Sequence, residues 1–374
     1  MIDQKDAIFF SRKKIVLFSI SVIVTIIAII IAVLEVVKIN FSWVLKEIGS
    51  SFSDSRWTWL LPLFIVPIYF SLFRFLIYWN WLKKYNLKVK WYKWLFFSFS
   101  DRVISIMTPL SLGSYPFQYF WLRNKKIDHF QVVGIITCAN FINVFINALV
   151  TWPSFVYIAI TQYDKIIRLE GGSYCFYLII VGLLLDLIAT LIYFAAGFSR
   201  HIHIFFALTI NRIAKFLKLK YKTRERIYYE YKQNAIVKKQ FIQELKSFTD
   251  PSIIVAFTFL FIFIEYNSIF CALQLLGNNT PSGPKLTYMS VINSINVATT
   301  ANNFIPIPGG EGTTQFSLKI FLKSFLQKNE NYDDILNGSI TVWRFLTNYL
   351  LIFIWLSILP FFLYYCFRKK VNFS

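Results

Sequence analysis

The chain has 374 residues, of which 56% are hydrophobic, 20% aromatic and only 16% charged, whereas soluble domains carry about 25% charged residues. That balance excludes an ordinary soluble domain, because the apolar residues fall in long blocks split by short charged patches, the pattern of a chain dissolved in lipid. The formal charge of +20 does not indicate nucleic acid, since no basic stretch lies on a soluble domain; it is read through membrane topology instead.

Taken in chain order, six blocks are long enough to cross a hydrocarbon core of about 30 Å as helices: 15–34, 57–79, 132–160, 174–198, 253–276 and 340–366. The first is longer than a signal peptide's apolar region and lacks a small-residue cleavage site, so it reads as a retained span. Two further apolar regions are interrupted. Residues 94–107 break at Thr108, Pro109, Gly113 and Pro116, then resume over 117–122. Residues 289–304 break at Pro306, Pro308, Gly309, Gly310 and Gly312, then resume over 316–326. Proline removes a backbone donor and glycine weakens a helix interior. Open backbone at membrane depth is tolerated only inside protein or beside a wet cavity. Both regions therefore read as helical hairpins that enter and leave by one face.

Basic residues decide the count. With six spans and two hairpins, the connections 1–14, 80–94, 123–130, 199–251 and the tail from Arg368 all fall on one side. The 199–251 segment alone holds twelve Lys and Arg against four Asp and Glu. This obeys the positive-inside rule and predicts a multi-pass protein of the cell membrane with both termini cytoplasmic. The fold class is thus an all-α polytopic membrane protein in a single domain, 1–374. Its halves, 1–160 and 173–374, each read span, span, hairpin, span in opposite orientation, an inverted repeat.

Ionisable groups within the hydrocarbon cost about 2.5–3.5 kcal/mol each on insertion scales. Asp101, Arg102, Asp186, Glu265, Glu311 and Arg344 lie there, while Arg74 is close enough to a span end to snorkel. Arg102 and Arg344 are expected to face a shared cavity and meet a lipid phosphate. Asp186 and Glu265 would balance them or contact a cationic headgroup, against a bland alternative of closed ion pairs that fix helix register. At the second break a helix is expected to begin at Thr313, leaving N–H groups around Gly310 to Thr314 free to hold a phosphate. Pro308, Gly309, Gly310, Glu311 and Gly312 join the candidate substrate contacts. Glu311 repels a bound anion, and its bland role is to stabilise the helix N-terminus. Asn302 and Asn303 either cap the preceding half-helix or donate to substrate.

The remaining motifs carry less. His201 and His203 form a His-x-His with no further ligands, so no metal is predicted. No phosphate-binding Gly-x-x-x-x-Gly-Lys loop occurs, and no cofactor is expected. Cys138, Cys175, Cys271 and Cys366 lie in apolar blocks and read as small buried hydrophobes. Residues 210–248 mix apolar and basic positions at helical spacing, predicting an amphipathic segment on the cytoplasmic leaflet that attracts anionic lipid.

The two breaks also carry a resemblance. The first motif, Thr108-Pro109, Gly113, Pro116 and Arg123, and the second, Pro306-Ile307-Pro308-Gly309-Gly310-Glu311-Gly312, resemble those of the lysylphosphatidylglycerol synthase transmembrane region. That region is the flippase half of the multiple peptide resistance factor. Arg344 matches the family's arginine early in the last helix. The resemblance implies a flippase-like fold without the synthase half, since nothing soluble follows Cys366. The chain departs from the family pattern at Tyr115, Gln118, Asn140, Asn143 and Gln315, where charges are replaced by neutral groups.

The leading expectation is a lipid translocase that moves a phospholipid or lipid-linked headgroup through a polar cavity between the hairpins, with no catalytic residue. Two alternatives are a membrane transferase adding a glycosyl or aminoacyl group to a lipid, with Asp101, Asp186 or Glu265 as general base, and a scaffold that recruits a partner through 199–251. A homo-oligomer stays open.

Overall fold

The computed structural model describes residues 41–65, 89–108, 111, 113–199, scattered positions between 201 and 215, and 223–247, 251–278, 283–303, 310, 312–326 and 332–358. The span expected at 15–34, most of that at 57–79, both termini, Arg74, His203, Cys366, Pro308, Gly309 and Glu311 lie outside the described residues.

The described chain is helical, with no strand among the described residues. A short amphipathic helix α1 (Phe41–Ser51) leads to a 3-10 turn at Arg56–Trp59. Helices α2 (Trp91–Met107) and α3 (Ser114–Arg123) form the arms of the first interrupted region. Helix α4 (His129–Thr161) and a single-turn α5 (Tyr163–Arg168) follow, then α6 (Gly172–Phe198), α7 (Arg224–Ser247) and α8 (Pro251–Leu275). The second interrupted region is α9 (Tyr288–Ala298), a 3-10 turn Thr299–Asn303, and α10 (Thr313–Ser324). The chain closes with α11 (Asp333–Arg344), which widens into a π-helical turn at Phe345–Tyr349 and runs on to residue 358. Three described helices are long and apolar enough to cross a membrane: His129–Thr161, Gly172–Ala195 and Asp333–Ile358.

The two interrupted regions sit in different surroundings. The second lies inside the main core, where Val291 and Ile295 of α9 and Leu318 and Phe321 of α10 join Leu183 of α6, Ile269 of α8 and Trp343 of α11. The first packs in two smaller clusters. Trp94, Phe97 and Leu122 meet Val132 and Ile135 of α4, and Val103 and Ile106 meet Leu351 and Ile352 of the last helix. The Trp355 indole N–H donates to Ser100 at 2.9 Å, so α2 and the last helix run antiparallel.

Helix α4 has 33 residues, about 50 Å of helix, which exceeds a bilayer core by about 20 Å. Its first turns are covered by the basic segment. Phe130 meets Tyr229, Phe141 meets Phe241, and Gly134 lies under Gln240, so α7 runs parallel to α4. Ile227, Val237 and Phe241 are buried, whereas Lys232, Lys239 and Lys246 line the exposed face. The part of the amphipathic pattern that lies in α7 is thus a helix that docks on protein through its buried face.

One contact fixes the second hairpin against α6. A Cβ on Gly182 would stand 2.2 Å from the Thr300 carbonyl oxygen, so the broken backbone rests directly on a glycine. Gly182→Val is expected to separate α6 from this turn and to lower the melting temperature of the detergent-solubilised protein by several degrees. Gly49→Ala, with no atom within 4 Å of the new methyl, is expected to leave it unchanged or slightly raised.

Candidate functional site

Both breaks are braced by the residues that mark them. At the first, Thr108 ends α2. Its hydroxyl donates to the Ile104 carbonyl at 2.7 Å and accepts the Gly113 N–H at 3.0 Å. A Cβ on Gly113 would strike the Thr108 methyl at 2.5 Å, so threonine and glycine are needed as a pair. At the second, Gly310 and Gly312 have φ of 67° and 78°, the left-handed region that suits glycine. Helix α10 begins at Thr313, as its sequence predicts. The Gly312 N–H, however, donates to the Gln315 side chain, the one half of a capping box open to a glycine N-cap. The expected cradle of free N–H groups is therefore occupied at Gly312, and the neutral Gln315 is what occupies it.

The ionisable groups separate into three settings. Asp101 is fully buried; it accepts from Ser114 at 2.5 Å and from Gln118 at 3.0 and 3.1 Å. Two neutral donors from α3 thus hold the α2 carboxylate, locking the hairpin arms together, so Asp101 has a bracing role within the hairpin. Arg102, the next residue, points to another element: its Nη2 donates to Glu265 Oε1 of α8 at 2.9 Å. This ion pair is partly enclosed, with side chains 16% and 23% exposed. Asp186 lies on α6 one turn beyond Gly182, close enough to Tyr266 to act on it electrostatically.

Arg344 forms the third setting. It is 6% exposed, at the last position before the π-helical turn. Its guanidinium lies 4.4 Å from the Trp343 ring centroid. With the Asn348 amide oriented to satisfy its neighbours, Nη1 donates to Asn348 Oδ1 at 2.8 Å. Its Nε and Nη2 have no hydrogen-bond partner among the described residues. A buried cation with two open donors is costly unless an anion completes it, and π-turns concentrate at functional positions.

Ser339 Oγ of α11 donates to the Ala272 carbonyl of α8 at 3.4 Å, so these two helices pack together. Tyr266 donates to Asn147 of α4 at 3.3 Å and lies 3.5 Å from the Thr299 hydroxyl, at the edge of the second break. At the first break, the Tyr193 hydroxyl of α6 donates to Tyr115 at 3.4 Å. Gly182 meets one break and Tyr193 the other, so both border α6, about 16 Å apart along its axis, with Asp186 between them.

Sequence reasoning missed Tyr266, Asn147 and Asn348, the neutral members of this layer. Thr347-Asn348 within an otherwise apolar span was the available signal. Asn302 and Asn303 lie in the 3-10 turn itself.

The family model for the lysylphosphatidylglycerol synthase transmembrane region matches residues 16–355, nearly the whole chain. The chain belongs to this family. It is an all-helical membrane protein of a family named for a lipid synthase. Among its relatives are the uncharacterized protein MG306 homolog of Mycoplasma pneumoniae, 26% identical over 94% of this chain and 89% of the relative, and the uncharacterized protein MG306 of Mycoplasma genitalium, 26% identical over 91% and 87%. No solved structure matches. The family match spans both breaks.

Arg102→Leu leaves the Glu265 carboxylate without its guanidinium and is expected to destabilise the protein by on the order of 3 kcal/mol. The Arg102→Leu/Glu265→Leu double variant should recover most of that loss. Unfolding in mixed micelles of all four proteins measures the coupling; additive losses would show that the pair contributes nothing.

Proposed function

We propose that the protein is a lipid translocase of the cell membrane. In this reading six spans and two re-entrant hairpins, arranged as an inverted repeat of 1–160 and 173–374 with cytoplasmic termini, let a headgroup cross while its chains stay in lipid. The observation that carries the reading is Arg344. A buried guanidinium with Nε and Nη2 open, stacked on Trp343 beside the π-helical turn, has the donors a lipid phosphate accepts.

Arg102 plays a different part. Its charge is already balanced by Glu265, so it serves as the partner whose release or retention accompanies passage of a headgroup. Asn302, Asn303, Pro308, Gly309 and Glu311 are assigned to the route from the opposite half by sequence alone, beside Gly310 and Gly312 of the second break. Asp186, set between the breaks on α6, is the group that would meet a cationic headgroup. Anionic lipid against the exposed lysines of α7 belongs to the same reading.

The transferase reading is weaker than the sequence suggested. Asp101, one of its three candidate bases, is buried and engaged by Ser114 and Gln118, which leaves it out of reach of a lipid substrate.

The test is headgroup movement in vesicles that contain the pure, folded protein. A phospholipid with a fluorescent headgroup, placed in one leaflet, should become accessible to an impermeant quencher in the other at least tenfold faster than in protein-free vesicles. Arg344→Gln should remove most of that acceleration. Rates equal to protein-free vesicles, or unaltered by Arg344→Gln, would contradict the proposal.

A further inference from the structure

Four lysines gather where the arms of the first hairpin begin and end. Lys90 immediately precedes α2, Lys93 lies in its first turn, and Lys125 and Lys126 follow α3. The arms are held together at this level by aromatic packing. The Trp121 ring lies 4.3 Å from Trp94 and 4.1 Å from Phe97, centroid to centroid. Lys125 Nζ stands 5.1 Å from the Trp121 ring centroid. Lys93 adjoins Trp94, whose ring packs on the Trp121 ring that Lys125 overlies, so both lysines belong to the same end of the hairpin; burial and the Lys93 ammonium hold the Lys125 ammonium below the usual lysine range.

No carboxylate pairs with any of these lysines among the described residues. The nearest acid in sequence, Asp128, accepts the Phe130 amide at the start of α4. Arg123 adds a further positive charge and donates to the Ile127 carbonyl at 2.7 Å. Like charges in a half-buried position repel unless an anion sits between them. Beside them Trp91 is 60% and Phe120 45% exposed. Aromatic residues of this kind occupy the headgroup level of membrane proteins.

We propose that the mouth of the first hairpin binds the phosphate of an anionic phospholipid between Lys93 and Lys125, with Lys90 and Lys126 at its rim and the upper acyl chain against Trp91 and Trp121. A lipid is the occupant because the lysines adjoin exposed aromatic surface on a protein embedded in a bilayer. A bound lipid would fix the open end of the hairpin at the headgroup level while the closed end reaches the polar layer. The site is separate from Arg344, and its test does not read transport.

Native mass spectrometry of the full chain, released from micelles holding equal phosphatidylglycerol and phosphatidylcholine, measures retained lipid. The parent should retain phosphatidylglycerol preferentially. Lys93→Gln/Lys125→Gln should lower its affinity on the order of thirtyfold, the product of two lysines near an anionic surface. Lys93→Arg/Lys125→Arg should preserve binding. Thermal unfolding checks that the glutamine variant is folded. Should it not be, the single variants carry the same test at about fivefold each. Equal retention by the glutamine variant, absence of preference over phosphatidylcholine, or displacement by millimolar inorganic phosphate would each overturn the proposal.

Discussion

A helix interrupted within hydrocarbon leaves N–H and C=O groups that lipid cannot satisfy, at a cost of several kcal/mol each. The whole arrangement follows from how this chain meets that constraint at two places. At the first break the Thr108 hydroxyl serves both sides, donating back into α2 and accepting from Gly113. At the second, left-handed glycines turn the chain, the Gln315 side chain takes the Gly312 N–H, and the Thr300 carbonyl rests on Gly182. Each device uses protein atoms in place of water. Helix α6 lies against both breaks, through Gly182 at the second and Tyr193 at the first.

The ionisable groups obey the same logic with different outcomes. Asp101 is sealed by neutral donors and braces the hairpin. Arg102 and Glu265 neutralise one another across two elements, an arrangement whose net stability is small but whose disruption is costly. Arg344 combines burial with two guanidinium donors, Nε and Nη2, left open among the described residues. The bland expectation of closed pairs holds for Arg102, whereas Arg344 retains the capacity to bind.

Much of the fold was legible because its causes are local. Proline and glycine at 108–116 and 306–312 marked both interruptions, and apolar length marked the long helices. The start of α10 at Thr313 followed from the glycines that precede it. What could not be read was pairing between distant segments. Nothing in the spacing of Asp101 says that Gln118 will hold it, or in that of Arg102 that Glu265 will pair with it. On a helix, neighbouring residues point about 100° apart, so one faces α3 and the other α8. In the basic 199–251 segment the docking partner was likewise not legible. Its amphipathic pattern announces a buried face without naming what buries it, and here the excess length of α4 provides the surface.

Translocation as proposed depends on a lipid phosphate completing the Arg344 guanidinium. An electron cryomicroscopy map of the protein in a phospholipid nanodisc tests this directly. The account predicts headgroup density within hydrogen-bond distance of Arg344 Nε and Nη2, with the acyl chains leaving between α6 and the hairpins. A map in which those two nitrogens are enclosed by protein carboxylates or packed aromatics, with no lipid in reach, would contradict it.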